Sequence, residues 1–182
     1  MKTKSILLLF FSAVLFLSCK NDKTENNKEE AAAEATATGF KVTLNVVVKK
    51  DDDFSLFYSE DGSNDFSKIQ PIWMKVRGSD IEQEVVYTLP ADVLPTQFRL
   101  DLGLNKDQQD IEIKKFKMEY NGKSFEINGN QFYIYFDPDL SKTIFDKATG
   151  VVKAVVKDGV RQSPSFYPNV EPLGKQIDLL VK

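Results

Sequence analysis

The first residues with chemical potential are Arg99 and Asp101, two apart in Phe98-Arg99-Leu100-Asp101-Leu102. In a strand they share one face, opposite Phe98, Leu100 and Leu102. The plain expectation is a solvated ion pair. The functional one is a polar platform for sugar hydroxyls, because carboxylate and guanidinium each take two hydrogen bonds in fixed geometry. Trp73 is the single tryptophan and sits in Ile72-Trp73-Met74-Lys75-Val76. It is expected first in the core; an exposed Trp73 would instead be a flat surface for a pyranose ring. Gln131–Phe136 reads as a strand with Tyr133 and Tyr135 on one face, either packed under a loop or lining a ligand surface. Asn105, Asp107 and Asp110 follow the Arg99 segment. Oxygen ligands at such spacing suit a structural Ca²⁺, although no Glu closes a twelve-residue loop. The Asp51-Asp52-Asp53 run carries the same two readings, solvated turn or cation site.

Other chemistries are excluded by composition. The 182 residues contain no histidine. Ser-His-Asp and Cys-His hydrolases, His-ligated zinc and haem on a proximal His therefore fall away. One cysteine allows neither an internal disulfide nor a CxxC site. No pair of carboxylates stands out as a glycosidase couple, so the chain is read as a non-enzyme. Its formal charge is −3, and −5 without Lys2 and Lys4, which argues against a nucleic-acid partner.

The elements that must position these residues begin at Phe40. Val42, Leu44, Val46 and Val48 alternate with Lys41, Thr43 and Asn45, the period of a half-buried strand. Further runs end at Gly78, Pro90 and Gly103. Between Ile113 and Phe116 the alternation slips by one, which predicts a bulge near Lys114-Lys115. Asn121-Gly122 is a strong hairpin signal, and Asp158-Gly159 marks another turn. Strands are expected at Val151–Val156 and Ile177–Val181, with Asp139–Lys147 the best short-helix candidate. The sum is an all-β, antiparallel sandwich, jelly-roll-like, of about nine strands. Val42, Leu44, Val46, Leu100, Leu102 and Ile113 are its expected core.

Ahead of this body the chain divides further. Residues 1–18 carry a basic start and an apolar run from Ile6 to Leu17, too short for a comfortable span and suited to a signal peptide. Leu15-Phe16-Leu17-Ser18-Cys19 resembles the lipobox of bacterial lipoproteins, with Phe16 where the family most often has Leu. The resemblance implies lipidation of Cys19 and a membrane partner through that anchor. It places the protein in the cell envelope, in the outer membrane, with the leaflet open. Residues 19–38 are polar and Ala/Glu/Thr-rich and read as a flexible tether. Residues 39–182 form the sandwich.

The order Trp73–Gly78, Val85–Pro90, Phe98–Gly103, then Ile111–Ile113 after a polar loop, resembles galactose-binding-like jelly rolls, the fold of many carbohydrate-binding modules. That resemblance implies a non-catalytic module for glycan but places no ligand residues, since the superfamily binds with variable loops; the candidates Trp73, Arg99, Asp101, Tyr133 and Tyr135 rest on their own chemistry. The alternative is a structural or assembly lipoprotein whose sheet holds an envelope protein.

Overall fold

The computed structural model describes residues 39–182. Its elements in chain order are β1 (Lys41–Val48), β2 (Asp52–Ser59), β3 (Ile72–Val76), β4 (Ser79–Thr88), β5 (Gln97–Leu102), β6 (Ile111–Tyr120) and β7 (Lys123–Asn128). A 3₁₀ helix follows at Gly129–Ile134. Then come β8 (Phe136–Pro138), β9 (Thr143–Asp146), β10 (Val151–Ala154), β11 (Val156–Lys157), β12 (Val160–Arg161), β13 (Ser165–Pro168) and α1 (Val170–Val181).

Two antiparallel sheets make the sandwich. The first runs β4-β1-β6-β10-β9, with β7 also on β6, and the second runs β3-β2-β5-β13-β8. The β11–β12 hairpin stands apart from both. The chain changes sheet between β1 and β2, β3 and β4, β4 and β5, and β5 and β6. This stepping follows from alternation, since each strand needs one apolar face toward a common core. All six expected core residues are buried there. Phe54, Phe98, Phe116, Phe132, Phe136 and Phe166 are fully buried too.

The local signals at turns hold. Asn45 pairs with Lys115 and Val46 with Ile113, so Lys114 is the extra residue of a bulge. Asn121 and Gly122 have φ of 47° and 77°, and Asp158 and Gly159 have 50° and 74°. Positive φ at both central residues is what a tight two-residue hairpin turn requires.

Four expectations are corrected. The described residues hold 13 strands rather than nine, because β8, β11 and β12 have only two or three residues and carry no readable period. Gln131–Phe136 is no strand. Gly129–Ile134 is a 3₁₀ turn that folds the chain back before β8 begins at Phe136, so Phe132 and Phe136 stack at 4.5 Å inside the core, where a strand would hold them about 13 Å apart. Ile177–Val181 belongs to α1, where Leu173, Ile177 and Leu180 form the buried stripe. Pro172 is tolerated in the first helical turn, where its missing N–H has no partner to lose. Asp139–Lys147 makes a single turn, in which Asp139 O accepts from the Lys142 and Thr143 N–H groups at 2.8 Å, and then extends as β9.

Candidate functional site

The outer faces of the two sheets differ in chemistry. On the first sheet Lys115 meets Glu126 at 3.1 Å, Lys117 meets Glu119 at 2.8 Å, and Asn45 Nδ2 donates to Glu82 at 2.8 Å. This is a solvated ladder of paired charge, worth little per pair.

The second sheet turns a different set outward. Register places Trp73 of β3 opposite Ser55 of β2, Ser55 opposite Asp101 of β5, and Asp101 opposite Ser165 of β13. One rung along, Phe57 of β2 stands opposite Arg99. The Arg99 guanidinium lies 4.8 Å from the ring centres of both Phe57 and Tyr167, a cation held between two aromatic faces. Its Nε and Nη2 donate to the two Asp101 oxygens at 2.9 and 2.8 Å. Phe66, from the β2–β3 loop, packs on Phe57 and Tyr167 with ring centres 6.3 and 6.5 Å away.

The pair is not the solvated one that the spacing suggested, since the two side chains are only 18% and 20% exposed. Burial pushes the Asp101 carboxyl above the usual carboxylate range, and Arg99 offsets this only in part. The flanking Ser55 and Ser165 hydroxyls are buried and have no hydrogen-bond partner among the described residues. Trp73 is corrected the other way. It is 50% exposed, because Ile72, Met74 and Val76 take the inward side of β3 and leave Trp73 and Lys75 outward.

Trp73, Arg99 and Asp101 thus share one face. Tyr133 lies elsewhere, on the 3₁₀ helix, and Tyr135 caps its C-terminal end. Lys147 Nζ sits 4.6 Å over the Tyr133 ring, and Tyr135 packs edge-on against Phe125 of β7 in the first sheet at 5.1 Å. Sequence reasoning missed Phe57 and Tyr167. Their signal was present in register, since each neighbours Arg99 once β2, β5 and β13 are aligned.

The candidate cation ligands do not converge. Asn105 Oδ1 accepts from Asp107 N at 2.9 Å, and its Nδ2 donates to Asp51 O at 2.8 Å. Asp110 faces Lys153 at 3.5 Å. Among the described residues no three His, Cys, Asp or Glu side chains form a metal-holding group. The aspartate run serves the turn after β5. Asp52 is buried and accepts from the N–H groups of Leu104 (2.6 Å), Asn105 (2.9 Å) and Asp53 (2.9 Å) and from Gln108 Nε2 (2.9 Å). Asp51 Oδ1 accepts from Gly78 N at 2.7 Å. Cys19 lies outside the described residues.

No protein-family model, curated protein or solved structure matches the chain.

Proposed function

We propose that the protein is an envelope-anchored lipoprotein whose sandwich is a non-catalytic binding module for glycan. The observation that carries this reading is the outward row of the second sheet, with half-exposed Trp73 on the same face as the clamped Arg99–Asp101 pair and Ser55 of β2 between them. The CH face of a pyranose packs on a flat indole. Carboxylate and guanidinium, each held in fixed orientation, give its hydroxyls directional partners. The paired charges of the opposite sheet offer nothing comparable. The lipobox-like segment ending at Cys19 supports anchorage of this module in the outer membrane.

The test is a glycan array probed with residues 39–182, which contain every core residue named above. Hits are then titrated with and without Trp73→Ala. Binding in the range of about 10 μM to 1 mM is expected, about −7 to −4 kcal/mol. Silence across the array, or binding indifferent to Trp73→Ala, overturns the reading.

A second reading, an assembly lipoprotein with a protein partner, draws on edge strand β9. Ile144 on that strand and Leu140 just before it are exposed. Cross-linking from this edge in intact cells, with no glycan binding, would favour it.

A further inference from the structure

A recess of about 520 Å³ opens between the loop at residues 106–110, which leads from β5 to β6, and the β11–β12 hairpin. It is separate from the Trp73 face, and its wall contains Arg161. This side chain is only 9% exposed. Nη1 donates to the carbonyls of Asn105 and Gln162 at 3.2 and 3.5 Å, while Nε and Nη2 have no acceptor among the described residues. No described carboxylate pairs with it within 4.0 Å. Burial weakens the hold of Arg161 on its proton, and Asp52 and Asp110, both beyond ion-pair distance, offset this only in part.

The neighbouring carboxylates are engaged elsewhere or face outward charges. Asp52 spends its oxygens on four N–H donors. Asp110 faces Lys153, and Lys106 Nζ donates to Arg161 O at 3.0 Å. The charged side chains lining the recess are Lys106 and Arg161 against Asp107 and Asp110, and only the Arg161 guanidinium keeps donors without an acceptor. Val156 is the direct cross-strand neighbour of Arg161 and lines the same recess with Val160 and Ala154. An aliphatic wall therefore adjoins the unspent guanidinium donors, in a volume typical of small-molecule sites.

The geometry points to a carboxylate-binding subsite, in which a small organic acid or a uronate unit pairs with Nε and Nη2 of Arg161 and rests its carbon body on Val156 and Ala154. A planar carboxylate matches two parallel guanidinium donors.

The experiment is thermal unfolding of the intact chain in detergent at constant ionic strength. Glutarate, glucuronate and galacturonate are added at millimolar concentrations, with glucose as the neutral comparison. A saturable rise in Tm with the acids and none with glucose is expected. Arg161→Gln should weaken the response at least about tenfold, the loss of a charged hydrogen-bond pair, and Arg161→Lys should restore part of it. Val156→Glu places a tethered carboxylate beside Arg161 and should abolish the response. That position is exposed, so this variant decides the matter even where Arg161→Gln does not fold. A rise with uronates alone identifies an acidic glycan as the source; a rise with glutarate as well identifies the carboxylate whatever carries it. No saturable rise, or one that persists in Val156→Glu, overturns the inference.

Discussion

Trp73 separates binding from stability at a single residue. Its ring is half exposed on a strand whose inward positions are filled by Ile72, Met74 and Val76. Trp73→Ala should therefore reduce glycan binding at least about tenfold while changing unfolding free energy by less than about 1 kcal/mol in urea titration. Asp101 gives a pH signature. Its folded-state carboxyl titrates above the ordinary value of 3.8. Between the unfolded and folded values the native state binds the extra proton, so this group's contribution is complete below 3.8 and is lost as pH rises through the folded value. The stability of the wild type minus that of Asp101→Asn should then be larger at pH 3 than at pH 6 in paired urea titrations. An equal or reversed difference would show that Arg99 outweighs burial. The types and spacing of Arg99 and Asp101 were legible in the chain. Their enclosure was not, because Phe57, Phe66 and Tyr167 come from segments far off in sequence.

Among the elements, the bulge in β6 does more than break a register. Its neighbour Ile113 receives two glycines on one carbonyl. A Cβ on either Gly129 or Gly150 would collide with the Ile113 oxygen, and Gly150 N–H and C=O are both spent, the C=O accepting from Ile113 N at 3.0 Å. Gly129→Ala should cost about 1–3 kcal/mol, measured by thermal or urea unfolding, since backbone rather than a flexible side chain must give way. A neutral substitution would mean that the 3₁₀ segment can shift without loss. The bulge was readable because a one-residue slip in a period-two pattern has a single local meaning. Likewise Asn121-Gly122 needs only its own backbone preferences. The 3₁₀ turn and α1 were not readable in the same way. Phe132 and Phe136 look like one face of a strand until tertiary packing sets them against Phe116, Phe145 and Phe166. Pro172 and Gly174 interrupt the helical composition of α1, whose stripe of Leu173, Ile177 and Leu180 finds its support on β5, β6 and β7.

At the scale of the whole molecule, alternation along β1, β5 and β6 was enough to predict a sandwich, because one buried face per strand forces two layers. Leu100 is fully buried between the sheets, and Leu100→Ala should cost about 2–5 kcal/mol in chemical unfolding. Far-UV circular dichroism should be dominated by strand. Anchorage is separable from all of this. Among the described residues no helix is long and apolar enough to cross a membrane. Cys19→Ala should leave the protein in the soluble fraction after lysis, and continued partition into detergent would refute the lipid anchor. Sheet order sets how the fold carries load along the chain. Gly39 leads directly into β1, and β1 is bonded along its length to β4 on one side and β6 on the other. A pull transmitted from the N-terminal side acts along that strand. It meets two rows of hydrogen bonds in shear, all loaded together, where a pull on edge strand β3 would open its single row one bond at a time. The N-terminal end of the sandwich is thus its mechanically strong one.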